Sequence, residues 1–260
     1  MINFFCNLSP LIQAIIASTM TFTLTTIGSS FVFLFKKINN KVMNYLLGAS
    51  AGIMLSAAIF SLLLPAIEQA KNLNMNVILV VSIGLLCGSF LLIIGDKISS
   101  KFIDNEENNF RRILLLVTSI VLHNIPEGLA IGVAFGSIIY NIEGATLIAA
   151  ISLAIGIGMQ NIPEGAAISI PLRKEGLSRK KAFIIGSLSG IVEPLSAILG
   201  VILVLKIKVI LPILLAFASG AMLFVIIEEL VPECMNDDNK NMIGIVTLIG
   251  FIAMMALELL

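Results

Sequence analysis

His123-Asn124-Ile125-Pro126-Glu127-Gly128 returns 37 residues later as Gln160-Asn161-Ile162-Pro163-Glu164-Gly165. Each copy lies in a long apolar stretch, and each sets a nitrogen- or oxygen-bearing side chain four residues before a glutamate. Positions i and i+4 share a helix face, so His123 with Glu127 and Gln160 with Glu164 project as two matched pairs. One imidazole, one amide and two carboxylates form a donor set for a divalent cation. Asn124 and Asn161 stand one position further on, about 100° around their helices, and are available to a second, adjacent ion. A charged side chain at a bilayer centre costs roughly 2.5–3.5 kcal/mol on insertion scales, so an intramembrane carboxylate normally faces a cavity, a partner or an ion path.

Other carboxylates sit in apolar surroundings beside prolines. Glu193 precedes Pro194, and Glu228-Glu229-Leu230-Val231-Pro232-Glu233 ends a later apolar run. Unpaired at mid-membrane, Glu127, Glu164, Glu193 and Glu229 would together cost on the order of 10–14 kcal/mol, which bound cations would offset. Glu229 lies nearer a span end, where solvation is the alternative. Glu68, three residues after Pro65, is a further candidate, or a carboxylate at the membrane boundary. Imidazole, amide and carboxylate without thiolate suit zinc, iron(II), manganese or cobalt better than copper(I). Calcium and magnesium prefer oxygen alone, so His123, the single histidine of the chain, favours zinc or iron. Pro126 and Pro163 should free the carbonyls of Leu122 and Met159, kinking each helix next to its first polar ligand. Gly128 and Gly165 should admit a neighbouring helix at close range.

These residues need a membrane to sit in, and the composition supplies one. The 260 residues are 58% hydrophobic and 12% charged, against about a quarter charged in soluble domains. The net charge is zero and no basic face exists, which excludes nucleic acid as a partner. Cys6, Cys87 and Cys234 form no CxxC pair and read as packing residues rather than disulfide or thiolate sites. Met1-Ile2-Asn3-Phe4-Phe5 lacks the basic flank of a signal peptide, so the first apolar segment is expected to be a retained span.

About 20 apolar residues cross a bilayer as a helix, and eight such stretches occur, near 9–35, 42–68, 76–96, 111–139, 144–171, 181–205, 208–232 and 242–260. The expected fold is therefore an all-α membrane protein of eight transmembrane helices in one domain, residues 1–260. With the amino terminus outside, the first, third, fifth and seventh connections and their flanks hold thirteen basic residues: Lys36, Lys37, Lys41, Lys97, Lys101, Arg111, Arg112, Arg173, Lys174, Arg179, Lys180, Lys181 and Lys240. Only Lys71, Lys206 and Lys208 fall on the other side. Cytoplasmic loops are rich in Lys and Arg, which places both termini away from the cytoplasm. The polar connection 99–109, with Asp104, Glu106 and Glu107, reads as a solvated loop. The repeated motif relates the fourth and fifth spans and leaves three on either side, permitting a 3+2+3 inverted repeat.

At these residues the chain resembles the ZIP (Zrt/Irt-like) metal transporters, closest to the bacterial zinc-uptake and GufA-like branches. The resemblance covers essentially the whole chain: eight spans, HNIPEG in the fourth, QNIPEG in the fifth, Glu193 in the sixth and Glu228-Glu229 in the seventh. It implies import of a divalent metal into the cytoplasm across the cell membrane through a two-metal centre, and a homodimer whose transport helices move against a scaffold. One site would use His123, Glu127, Gln160 and Glu164, the other Asn124, Asn161 and Glu193, with Glu127 and Glu164 bridging both. The chain lacks the histidine-rich loop that many relatives carry after the third span, and has Glu228 where some carry histidine. The cargo expected is zinc, with iron, manganese and cadmium as further candidates, and no resident cofactor. No GxxxxGK[ST] loop is present to couple transport to ATP. An intramembrane metal-dependent hydrolase is the rival reading; its HExxH signature would need Glu at position 124, where Asn stands.

Overall fold

The computed structural model describes residues 5–34, 40–103, 108–140, 145–206, 208–235 and 239–259, and every regular element among them is helical. Among the described residues, eight helices are long and apolar enough to cross a membrane: α1 (Pro10–Leu34), α2 (Lys41–Asn72), α3 (Val77–Lys101), α4 (Ile113–Tyr140), α5 (Leu147–Arg173), α6 (Arg179–Lys206), α7 (Leu211–Cys234) and α8 (Lys240–Glu258). They follow the expected spans closely, and the ends have local causes. Pro10 and Pro212 occupy the first turns of α1 and α7, where the missing N–H is no loss. Thr146 and Ser178 cap α5 and α6 by accepting from the amides of Ala149 and Lys181, and Gly176, at φ 99°, turns the chain between those helices. Lys36, Lys37, Asp104, Glu106 and Glu107 lie outside the described residues.

The helices pack chiefly in pairs. The most extensive contacts join α4 to α6, α1 to α5, α3 to α7 and α2 to α8, with α2 also against α5 and α7 against α4. Exchanging α1 with α6, α2 with α7, α3 with α8 and α4 with α5 maps these pairs onto one another. Because lipid is as apolar as leucine, membrane helices associate by close packing at small residues. A Cβ on Gly132 would stand 2.0 Å from the carbonyl oxygen of Ala197, and one on Gly52 1.9 Å from that of Thr247. Gly132→Leu should therefore force α4 from α6 and cost at least the 1–3 kcal/mol, roughly, of an overpacked core. A lowered midpoint in thermal unfolding of the detergent-solubilised protein checks this, with Gly244→Ala, which meets open space and gains helix propensity, expected not to lower it.

The changes of helix type fall outside the two motifs. Pro126 and Pro163 lie inside continuous α-helix. Regular geometry breaks instead at a π-turn, Ala58–Leu63, ahead of Pro65, at a second, Ile226–Leu230, ahead of Pro232, and at a 3-10 turn, Ser189–Ile191, ahead of Pro194. A π-turn inserts one residue, so Leu64 N–H bonds Ile59 and Val231 N–H bonds Ile226, which takes the carbonyl that the proline ring would strike out of its path. The Ser219 hydroxyl donates to the Ala58 carbonyl at 2.9 Å, tying the α2 irregularity to α7. Cys234 is buried as a packing residue, whereas Cys6 and Cys87 are exposed and all three are free thiols.

Candidate metal centre

The two motif copies face each other across α4 and α5. Glu127, fully buried, accepts from the Gln160 side-chain amide, Nε2 to Oε1, at 2.6 Å. One position along, Asn161 Nδ2 stands 3.0 Å from both carboxylate oxygens of Glu193 on α6. Asn124 Nδ2 donates to the Ser189 carbonyl at 3.0 Å, within the 3-10 turn that precedes Glu193. The motif glycines make this approach possible: a Cβ on Gly128 would lie 2.2 Å from the Glu193 carbonyl oxygen, and one on Gly165 2.2 Å from that of Thr25. The structure thus brings Asn124, Glu127, Gln160, Asn161 and Glu193 into one buried layer where α4, α5 and α6 meet α1.

Seven buried side-chain N or O atoms among the described residues lack a hydrogen-bond partner, and four of them are Asn124 Oδ1, Glu127 Oε2, Gln160 Oε1 and Asn161 Oδ1. Leaving a buried acceptor unpaired costs about 1–3 kcal/mol, and native structures carry few such groups. Four on one motif pair, all acceptors, fit a cation and exclude an anion. Oxygens of amide and carboxylate type are hard donors that suit a divalent cation.

His123 is turned elsewhere. Its Nε2 lies 2.9 Å from Oε1 of Glu229 on α7, which also accepts from the Ser119 hydroxyl at 2.9 Å. Glu164 is half-buried. These residues line a cavity of about 420 Å³ with Glu233, Pro171 and Leu230, toward the Ile113 end of α4 and the Cys234 end of α7. Glu229 keeps a third of its side chain exposed, and Glu228 is exposed. No group of three or more His, Cys, Asp and Glu side chains among the described residues is placed to share one ion. The proposed sets mix amides with carboxylates, and His123 pairs with α7. A second cavity of about 300 Å³ opens at the opposite end, lined by Glu68, Glu258, Ser61 and Gln69. Between it and Glu127 lie Ala130, Ile131, Val133 and Ile157, all fully buried. The buried layer of Glu127 and Glu193 is itself closed to solvent, with the cavity beside His123 and Glu164 toward one end and apolar packing toward the other.

Sequence reasoning missed Thr21 and Thr25 on α1, whose hydroxyls both reach Glu193. The only signal was the run of hydroxyl residues from Ser18 to Thr26, which in an apolar helix reads as hydrogen bonding to its own backbone.

Residues 107–258 match the family described as ZIP Zinc transporter. Zinc transporter ZIP11 of Xenopus tropicalis is 34% identical, with 96% of this chain and 97% of the relative aligned. Zinc transporter GufA of Myxococcus xanthus is also 34% identical, over 84% of this chain and 87% of its own. Zinc transporter ZIPB of Bordetella bronchiseptica is 31% identical over 94% and 80%. The geometry, the family match and these end-to-end similarities place the chain in the ZIP family of divalent-metal transporters, which are not enzymes.

Proposed function

We propose that this protein is a single-domain carrier, residues 1–260, that imports zinc into the cytoplasm across the plasma membrane through a two-ion centre. The observation that carries this reading is the set of four unpartnered buried oxygens on Asn124, Glu127, Gln160 and Asn161. Glu127, Glu164, Gln160 and His123 hold the first ion, and Asn124, Asn161 and Glu193 the second, with Glu127 and Glu164 shared. His123 reaches the first ion by leaving Glu229, which serves as its resting partner and as the next carboxylate on the path. The names of the relatives support zinc as cargo; the thiolate-free donor set extends to iron(II) and manganese, and cadmium is a further ion to test. Nothing favours the hydrolase alternative: position 124 is Asn, and the relatives are named as transporters.

Cavities at opposite ends, with an apolar seal on one side of the carboxylates, support alternating exposure. A site of several carboxylates also binds too tightly for fast conduction. The exchange symmetry of the helix contacts and the matching π-turns of α2 and α7 support the 3+2+3 inverted arrangement. The family resemblance supports a homodimer.

Orientation follows from the basic connections, and makes the His123–Glu229 cavity cytoplasmic and both termini extracytoplasmic. With Cys6→Ser and Cys87→Ser in place, leaving buried Cys234, a Lys180→Cys variant should react with an impermeant thiol reagent only when the cytoplasmic face is accessible. Labelling in intact cells would overturn the orientation. The cargo is tested by uptake of zinc, iron(II), manganese and cadmium, offered singly, into vesicles containing only this protein. Zinc is expected to accumulate, and its exclusion would refute the assignment.

A further inference from the structure

Resting on the two-ion reading, we propose that Thr21 and Thr25 of α1 are positioning residues of the second ion position. Their hydroxyls hold the Glu193 carboxylate, and the Asn161 amide is the donor that turns away to admit an ion.

A carboxylate has about four lone-pair directions. Thr21 Oγ1 donates to Oε2 of Glu193, Thr25 Oγ1 reaches Oε1 at 3.4 Å, and Asn161 Nδ2 meets both oxygens at 3.0 Å and, more distantly, the Thr21 carbonyl at 3.4 Å. Thr21 and Asn161 hold the close positions on the carboxylate and Thr25 a looser one, so an ion that takes both oxygens binds Glu193 only if the Asn161 amide leaves. The three donors are not equivalent. Each threonine hydroxyl is the rigid branch of a β-branched side chain on a helix locked against α5, where Gly165 meets the Thr25 backbone. The Asn161 amide instead has an unpartnered oxygen, Oδ1, at the same buried site. Rotating the amide presents that oxygen to Glu193. Two oxygens face to face repel one another unless a cation lies between them, so the rotation is favourable only with the ion present. Asn161 thus takes the place of the ion when none is bound, and the threonines keep the carboxylate aimed in both states.

Each hydroxyl also has a carbonyl of its own helix in reach, Ser18 for Thr21 at 2.9 Å and Thr21 for Thr25 at 3.2 Å. With one proton to give, the charged acceptor is the stronger partner. A purely structural role would make the hydroxyls matter to stability and not to the second ion, and that difference can be measured.

The full-length protein in detergent is titrated with zinc chloride by calorimetry, with Glu193→Gln identifying the second binding step. Because hydrogen bonds to a charged group are strong, Thr21→Val with Thr25→Val is expected to weaken the second step by about tenfold or more and leave the first unchanged. Thr21→Ser with Thr25→Ser should restore it. Asn161→Asp, which cannot donate from an ionised carboxylate, should tighten the second step, and Thr21→Val alone, at the closer of the two hydroxyl contacts, should still weaken it if the valine pair does not fold. A valine pair that titrates like the native chain, a serine pair that fails to restore the second step, or an Asn161→Asp variant that weakens it would overturn the positioning role. A native titration with a single step that Glu193→Gln leaves unaltered would overturn the two-ion reading itself.

Discussion

Glu127→Ala and Glu164→Ala are each expected to abolish zinc accumulation by cells while the protein still inserts in the membrane at normal level. Loss of partners outside the direct ligand set typically lowers metal affinity 10–100-fold, so removing a shared carboxylate should lower it by at least about 100-fold. Insertion is not at risk, because the substitution makes the span more apolar. Glu127→Ala leaves the Gln160 amide, which now bonds Oε1 at 2.6 Å, without its acceptor, a stability loss of about 1–3 kcal/mol that Glu164→Ala does not share. The two variants should thus agree in transport and differ in stability. Native accumulation in both, at matched protein level, would remove the site from the account.

Zinc binding should release protons, and its apparent affinity should weaken as pH falls. Carboxylates and imidazole coordinate in their deprotonated forms, so protons and metal compete for Glu127, Glu164 and His123. The sign is fixed by that competition: more protons in solution favour the metal-free site. Each proton displaced per ion makes the affinity change by about tenfold per pH unit. Calorimetry in buffers of different ionisation enthalpy counts the protons directly, and heats independent of buffer near neutral pH would contradict the linkage. The geometry adds one expectation to this. Glu229→Gln, which weakens the resting pair of His123, should ease the imidazole toward the first ion and change the proton count.

Most of the fold was legible because a bilayer demands long, uninterrupted apolar runs, and the lysines and arginines between them mark the turns. The candidate site was legible for a related reason: a carboxylate in such a run needs a partner, so Glu127, Glu164 and Glu193 stood out as candidates without any knowledge of packing. What remained hidden depends on three-dimensional neighbours. His123 and Glu127 share a helix face, but the imidazole bonds Glu229 on α7, a choice that local spacing cannot express. Thr21 and Thr25 carry no charge, so nothing in the α1 sequence separates a hydroxyl that serves Glu193 from one that serves its own helix. The prolines were visible, yet whether a helix absorbs the ring within continuous α geometry, as at Pro126 and Pro163, or through a π-turn, as at Pro65 and Pro232, depends on the neighbouring helices. Ser219, which satisfies the Ala58 carbonyl from α7, is one such neighbour.

The most direct test of the central claim, that the paired motifs of α4 and α5 carry a divalent metal through the membrane, is zinc flux into sealed vesicles reconstituted with this protein alone. The native chain should accumulate zinc down its gradient without ATP, and Glu127→Ala vesicles of equal protein content should not. Equal flux in native and variant vesicles would show that the ion crosses by some route other than these residues, and would contradict the account.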